Sequence, residues 1–331
     1  MRMFSLTLTL SVTNFFNPES QLKTNKMKRI ATVIGILVCS CIAQAQQELQ
    51  ISQYMFNGLY LNPAYAGTHP FWGGTAIHRQ QWLGFGGNPV STAVAFDGPI
   101  KDKNMGLGFM VINDNIGLTS NNDISAAYSY RIKVNENSQL SFGLRAGIRN
   151  IMFNATKLEN IPDAGDPLYN ANQSIWVPKF DFGAYWYSER GYLGLSVPNL
   201  LAIDSRTSDN SDAGLRRHVF LNGGYVWDIV ADGSVKFKPS VLVKYEPSSP
   251  LSFDLNAHFL FNDKFWLGAS YRYNSAVVLM AEYQITEQFR AGFAFDATTS
   301  DIRQYQNGTI EFMLGYDFTQ KLVKIKHPRY F

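Results

Sequence analysis

The clearest pattern in the chain is an alternation of apolar and polar residues with a period of two. In residues 140–148, Phe142 and Leu144 fall on one face and Gly143 and Arg145 on the other. Because successive side chains of a β-strand point to opposite faces, such a stretch predicts a strand with one apolar and one polar face.

Fourteen segments of this kind follow one another along the chain. They are residues 74–82, 91–98, 105–112, 122–132, 138–150, 180–188, 191–197, 218–228, 234–245, 251–260, 264–272, 276–284, 287–296 and 308–318. Most are close to the length of about 9–11 residues that a tilted strand needs to cross a bilayer.

A soluble β-sandwich or propeller would also show alternation with short turns. Three features favour a membrane barrel: small and charged residues on the polar face, aromatic residues near strand ends, and short turns that alternate with longer connections such as 113–121, 151–179 and 198–217. We therefore predict an all-β fold, a transmembrane antiparallel β-barrel of about 14 strands in an outer membrane. With short periplasmic turns, both termini are expected in the periplasm.

The first 45 residues are typical of upstream sequence followed by a signal peptide. Met27 opens a basic region, residues 30–42 are apolar, and Ala43-Gln44-Ala45 predicts cleavage after Ala45. A lipoprotein signal with acylation of Cys41 is the disfavoured alternative. The predicted domains are thus 1–45 (removed), a periplasmic plug segment at 46–73, the barrel at 74–318 and a periplasmic tail at 319–331.

Removing the leader changes the charge and the cysteine count. The leader holds both cysteines, five of the 29 Lys and Arg residues and one of the 26 Asp and Glu residues. The remaining chain has 24 basic and 25 acidic residues, a formal net charge of −1. This composition excludes a disulfide framework and offers no electrostatic basis for nucleic-acid binding.

Signatures of catalysis are missing from the sequence. The five histidines are scattered, and no Gly-x-Ser-x-Gly motif occurs. The acidic loop 204–214 contains oxygen ligands of the type calcium prefers, but its spacing is not that of an EF-hand and a solvated loop is the favoured interpretation. We expect no enzyme activity, cofactor or metal. Inward arginines such as Arg145 and Arg272 are expected to pair with lumen carboxylates, or else to form a docking surface.

The block before the first strand has a composition suited to closing a lumen. A barrel of fourteen strands is too wide for its own side chains to fill. Asn62 before Pro63 favours an extended or turn conformation, and Gly67 can adopt angles closed to other residues. With Tyr54 and Phe56 supplying apolar surface, the block predicts a plug, or alternatively a periplasmic arm across the barrel mouth.

Both ends of the chain that follows the predicted cleavage site, and one stretch between them, resemble a known family. The sequences "QYMFNGLYLNPAYAGT" (53–68), "GYLGLSVPNLL" (191–201) and "HPRYF" (327–331) resemble the Bacteroidetes PorP/SprF family of type IX secretion membrane proteins. The resemblance implies an outer-membrane barrel that works with other secretion components and with a secreted adhesin or other cargo, in some members for gliding motility. His327 replaces the serine usual in the family's terminal motif.

Two parts of the chain are candidate sites for partners. We expect the tail residues Pro328, Arg329, Tyr330 and Phe331 to dock on a periplasmic component, although a longer last strand with an assembly signal is an alternative. Tyr169 and Trp176 are candidate contacts with cargo. The competing functions are a FadL-like channel for small hydrophobic molecules and an outer-membrane hydrolase, for which no nucleophile pair is evident.

Overall fold

A computed structural model describes residues 49–154, 173–201, 215–247 and 249–318. The strands are β1 (Gly73–Gln80), β2 (Val90–Pro99), β3 (Met105–Ile116), β4 (Thr119–Asn135), β5 (Ser138–Phe153), β6 (Gln173–Ser188), β7 (Gly191–Val197), β8 (Val219–Tyr225), β9 (Trp227–Asp228), β10 (Val235–Tyr245), β11 (Ser252–Phe261), β12 (Phe265–Arg272), β13 (Ala276–Gln284), β14 (Phe289–Thr298) and β15 (Thr309–Asp317).

These strands form one closed antiparallel sheet. Neighbours in the chain pair with each other, and β15 pairs with β1, so the ladder returns to its beginning. β8 and β9 both pair with β10 in the same register and are separated only by Val226. This interruption lies close to Pro239 of β10, which has no N–H to donate to the neighbouring strand. Taking β8 and β9 as one strand, the described residues form a barrel of fourteen strands, as predicted.

The two faces of the wall have opposite character. Phe142 and Leu144 point outward and are 40% and 59% exposed, whereas Arg145, Asp254 and Glu311 point inward and are almost fully buried. Lipid provides no hydrogen bonds, so a closed ladder with apolar side chains outside is a stable arrangement in a bilayer. The residue facing expected from the alternation is confirmed.

The apolar outer face ends at a definite row on β3–β6. Val111 and Ile124 are paired across β3 and β4, and in the next row the pair is Asn113 and Asn122. This row continues through Asn150 to Trp176. Amides and a tryptophan at the edge of an apolar band are typical of a membrane interface.

Two predicted connections differ from the structure. β3 and β4 are joined by a tight turn at Gly117, whose φ is 56°, so the loop expected at 113–121 is wrong. β5 continues to Phe153 and β6 begins at Gln173, which shortens the loop expected at 151–179. These strand ends extend beyond the apolar band, where water wets both faces and the alternation of apolar and polar residues disappears.

The hairpin connections define two ends of the barrel. The first end carries the turns after β2, β4, β6, β9, β11 and β13, together with the start of β1 and the end of β15. The second end carries the turns after β1, β3, β5, β7, β10, β12 and β14. Most connections of the first end are shorter than those of the second.

Candidate functional site: the lumen and the N-terminal segment

Residues 49–72, called the N-terminal segment below, precede β1 and contact inward-facing residues all around the barrel. The segment contains 3₁₀ turns at Tyr54–Phe56 and Pro63–Tyr65 and one α-helical turn at Gly58–Leu61. Its apolar side chains belong to one buried cluster with inward residues of β1, β2, β3, β13 and β14. The cluster is the main apolar core among the described residues.

Two successive backbone amides at the start of the segment are held by one carboxylate. Ser52 N donates to Oε2 of Glu311 over 2.8 Å, and Gln53 N donates to Oε1 over 2.7 Å. Glu311 lies on β15 and is 0% exposed. Both oxygens of a fully buried carboxylate are therefore used to fix the segment, and such charge-assisted hydrogen bonds are the strong ones.

An ion-pair network surrounds this contact. Arg79 on β1 bonds Asp296 over 2.8 Å and Glu311 over 3.1 Å, and Arg272 on β12 bonds Asp296 over 3.0 Å. The hydroxyl of Ser52 donates to Asp296 and accepts from both arginines over 2.9 and 3.2 Å. Arg272 also lies 3.5 Å from Asp254, which pairs with Lys244 at 3.8 Å. Three cations thus face three carboxylates, which compensates the cost of burying them. The expectation that lumen arginines pair with lumen carboxylates is confirmed for Arg272.

The middle of the segment is fixed by Asn62 and Arg145. The side-chain oxygen of Asn62 accepts from Ala64 N over 2.9 Å and caps the Pro63–Tyr65 turn, while its Nδ2 donates to the carbonyls of Ala184 and Leu195. Arg145 donates to the carbonyl of Leu59 over 2.9 Å. Since Asp181 holds Arg145 at 2.6 Å, the guanidinium is oriented before it reaches the segment.

Glycines of the wall allow the segment to approach the sheet. A Cβ atom at Gly143 would collide with the backbone of Pro63 and Ala64, and one at Gly106 would collide with the carbonyl of Ala66. Gly183 lies in the same way against Asn62. The small residues on the polar face thus match the path of the segment, a correspondence that the sequence did not reveal.

The last part of the segment is attached to β2. Gly67 has a φ of 65°, and its amide donates to Oδ2 of Asp97 over 2.8 Å. His69 Nε2 lies 3.0 Å from the same oxygen. Burial opposes protonation of His69, but the adjacent Asp97 carboxylate outweighs it and raises the pKa of His69 above its ordinary value.

Aromatic contacts complete the packing. Phe56 lies edge-on to His258 and tilted to Trp266, with ring centroids 6.1 Å away in both cases. The hydroxyl of Tyr54 accepts a hydrogen bond from Asn256 over 2.7 Å. Near the first end, Tyr65 packs edge-on against Tyr185. The segment is thereby in contact with β6, β11 and β12 as well as with the seam between β15 and β1.

Comparison with known proteins identifies the family. The model of the family "Type IX secretion system membrane protein PorP/SprF" matches residues 43–316. The chain belongs to this family. No curated protein matches the chain.

Solved barrels show distant similarity to this PorP/SprF protein. A Pseudomonas aeruginosa FadL homologue has 12% identity and a TM-score of 0.44, covering 80% of this chain and 94% of its own. The Acinetobacter baumannii outer-membrane protein Omp33 has 9% identity and a TM-score of 0.47, covering 76% and 100%. A mutant of the monoaromatic hydrocarbon channel TodX has 9% identity and a TM-score of 0.47, covering 78% and 93%.

The structure brings together the predicted residues of the N-terminal block. Tyr54, Phe56, Asn62, Pro63 and Gly67 all contact inward-facing barrel residues. The sequence analysis missed Ser52 and Gln53 and their hydrogen bonds to Glu311, because hydrogen bonds between residues more than 250 positions apart leave no local pattern. The one local signal for these residues is the polar pair Ser52-Gln53, which stands directly before the aromatic block.

Other predicted sites lie in strands or outside the described residues. Trp176 is a residue of β6 on the outer face and is 64% exposed, so its placement in a loop was wrong. Tyr169, the polar loop 204–214 and the tail residues Pro328, Arg329, Tyr330 and Phe331 lie outside the described residues, as do residues 1–45.

The first and last described residues lie at opposite ends of the barrel. Leu49 and Gln50 line a cavity with Glu246 and Pro250 of the β10–β11 connection, at the second end of the barrel. Asp317 pairs with Gly73 at the first end. The N-terminal segment therefore runs through the lumen from one end to the other. The sequence analysis expected a plug, or an arm across the barrel mouth, with both termini in the periplasm; the side of the membrane on which the termini lie stays a prediction.

Two further observations concern membrane helices and metals. Within the described ranges, no helix is both long and apolar enough to span a membrane. The same residues contain no cluster of three or more His, Cys, Asp or Glu side chains arranged to hold a metal ion.

Proposed function

We propose that this protein is a non-enzymatic outer-membrane component of the type IX secretion system that helps to export a secreted surface protein or adhesin, or to hold it at the cell surface. The observation that carries the proposal is a lumen occupied by the protein's own N-terminal segment. A barrel filled by a covalently attached segment suits a docking scaffold better than an open pore. A contribution to gliding motility is part of the proposal.

The arrangement of the ends supports an orientation. Outer-membrane barrels have short periplasmic turns and longer outer connections. We assign the first end to the periplasm, so that the tail 319–331 docks on a periplasmic component and the longer connections meet cargo. The aromatic residues Tyr330 and Phe331 would bury apolar surface there, and the tail lysines would attract an acidic partner.

The test of this role is the fate of secreted proteins. Cells that lack the protein are complemented either with the full chain or with a chain truncated after Gln320. Mass spectrometry then compares proteins on the cell surface with those in the medium. We expect the truncated barrel to remain folded and heat-modifiable but to lose its co-purifying partners and the surface retention of cargo. Normal retention without the tail would refute docking, and normal retention without the whole protein would refute the proposed function.

The closing role of the segment has a separate test. Deletion of residues 50–68 removes the anchors at Ser52, Asn62 and Gly67. We expect the deletion protein to conduct ions in planar bilayers, because the lumen of a fourteen-stranded barrel is too wide for side chains alone to fill. A folded deletion protein that stays closed would show that other parts of the chain seal the lumen.

A second candidate function is a FadL-like channel for small hydrophobic molecules. Two observations favour it. The pairing of β6 with β7 covers only Phe182–Tyr187 on β6, so residues 173–181 have no strand partner on that side among the described residues. A cavity also opens beside the segment. Uptake assays with a small aromatic hydrocarbon distinguish the two: uptake that depends on this protein would favour the channel, and normal uptake without it would exclude that role.

A further inference from the structure

The cavity at the second end of the barrel has a buried apolar floor and an exposed rim. Its volume is about 110 Å³. Ile51 and Leu61 of the N-terminal segment and Leu242 of β10 form the floor and are at most 3% exposed. Tyr245 and Pro250 at the rim are exposed. The cavity is therefore accessible from this end of the barrel.

One charged group in the wall of this cavity lacks close partners. Lys244 lines the cavity, and its nearest carboxylate oxygen, Oδ2 of Asp254, is 3.8 Å from Nζ, beyond hydrogen-bond distance. Two other inward lysines are paired more closely: Lys179 lies 2.8 Å from Asp123 and Lys236 lies 2.5 Å from Asp263. Among the described residues, the ion pair with Asp254 is the closest charged contact of Lys244, and it is too long to be a good hydrogen bond.

The acidic residue of the same cavity does not compete for this lysine. Oε2 of Glu246 accepts from the Ser249 hydroxyl over 3.0 Å and lies 3.3 Å from His218 Nε2. Oε1 of Glu246 lies 3.8 Å from Arg216. Ser249 and His218 therefore hold Oε2 of this carboxylate closely, while its Oε1 has only the longer ion pair with Arg216. The Lys244 ammonium likewise has only a long ion pair, to Asp254, which leaves its N–H groups available to a ligand beside the apolar floor.

We propose that this cavity binds a small aliphatic carboxylate. The carboxylate would accept charge-assisted hydrogen bonds from Lys244, and a chain of about four or five carbons would cover Ile51, Leu61 and Leu242. The estimate of chain length follows from the volume, because an engineered cavity of about 150 Å³ admits benzene. The same chemistry occurs in a free short-chain acid and in the C-terminus of a peptide that ends in an aliphatic residue. The proposal is independent of the secretion role.

The test uses a terminally trifluorinated pentanoate and ¹⁹F NMR on the full barrel in detergent, with empty micelles as the blank. We expect saturable line broadening with wild type and with Lys133→Met, which removes an exposed lysine at the other end of the barrel. Lys244→Met should weaken binding about tenfold or more, because hydrogen bonds to charged groups are strong. Leu242→Phe should also weaken it, by filling the floor. The corresponding fluorinated amide should not bind saturably.

Competition identifies the source of the ligand. Displacement by unlabelled pentanoate alone supports a free acid. Displacement also by acetyl-Gly-Leu with a free carboxylate, but not by its amide, supports a peptide C-terminus. The proposal is overturned if the fluorinated acid shows no saturable binding, if acid and amide bind equally, or if Lys244→Met, still folded by its heat-modifiable migration, binds like wild type.

Discussion

Replacement of Glu311 by glutamine should release the beginning of the N-terminal segment. In the wild type, the two carboxylate oxygens separately accept the amides of Ser52 and Gln53, and Oε2 also accepts from Arg79. A glutamine of the same shape keeps one acceptor and turns an NH₂ group toward the other donors. At least one buried amide then loses its partner, and Arg79 loses one of its two carboxylates.

The size of the effect follows from these losses. A buried donor without an acceptor costs about 1–3 kcal/mol, and removing one partner of a buried ion pair costs about 3–5 kcal/mol when nothing else compensates. Arg79 keeps Asp296 at 2.8 Å, so the lower part of these ranges applies. We expect about 3 kcal/mol, or roughly a hundredfold increase in the ratio of released to bound segment.

Hydrogen–deuterium exchange of the reconstituted barrel measures this ratio. The peptide that contains Ser52 and Gln53 should lose protection in Glu311→Gln, while the strands keep theirs. Glu136→Gln is the matched control, because Glu136 is an exposed carboxylate in the β4–β5 turn. If the Ser52 and Gln53 amides exchange equally slowly in both variants, Glu311 does not hold the segment and the reasoning fails.

Three further predictions concern other parts of the molecule. Gly143→Val should displace the segment at a cost of about 1–3 kcal/mol, seen as faster exchange around residue 63, whereas Gly86→Ala, with no atom within 4 Å of the added Cβ, should not; equal exchange in both would exclude close packing there. The raised pKa of His69 means that its pairing with Asp97 stabilises the fold fully below the unfolded pKa of about 6.5 and is lost as pH rises through the folded pKa. The segment near residue 67 should therefore lose protection as pH rises through the folded pKa of His69, beyond the ordinary rise in exchange, and His69→Gln should abolish this pH dependence. Leu144→Arg should lower the free energy of unfolding in vesicles by about 2–4 kcal/mol if the residue lies at mid-bilayer; no change would place it outside the apolar band.

The strands were predictable because two different solvents act on the wall. Lipid outside and a polar lumen inside force the side chains to alternate, and the predicted bounds 191–197 and 276–284 agree with β7 and β13. The prediction was poorest where this contrast ends. Around Asn113 and Asn122 both faces are polar, so a sequence window there is typical of a loop although the backbone continues as a hairpin.

The N-terminal segment was predictable in kind but not in position. Its aromatic residues, Asn62 and Gly67 indicated a compact structure that packs on the barrel. Its direction depends on partners such as Glu311 and Asp296, which come from the last two strands. A residue that faces the lumen can be inferred from alternation, but which lumen residue meets which part of the segment is decided by the three-dimensional closure of the sheet.

The position of the strongest anchors has a consequence for assembly. Arg79 belongs to β1, Glu311 to β15 and Asp296 to β14, and the hydroxyl of Ser52 contacts Arg79 and Asp296. The network thus crosses the seam at which the last strand pairs with the first. Its charges are balanced only when both sides of the seam are in place, and its carboxylate oxygens are fully hydrogen-bonded only when the segment is in place as well, since a buried arginine or carboxylate alone is costly. Closure of the barrel and capture of the segment therefore stabilise each other, and a barrel that closes without the segment leaves Glu311 without the two amides that satisfy it.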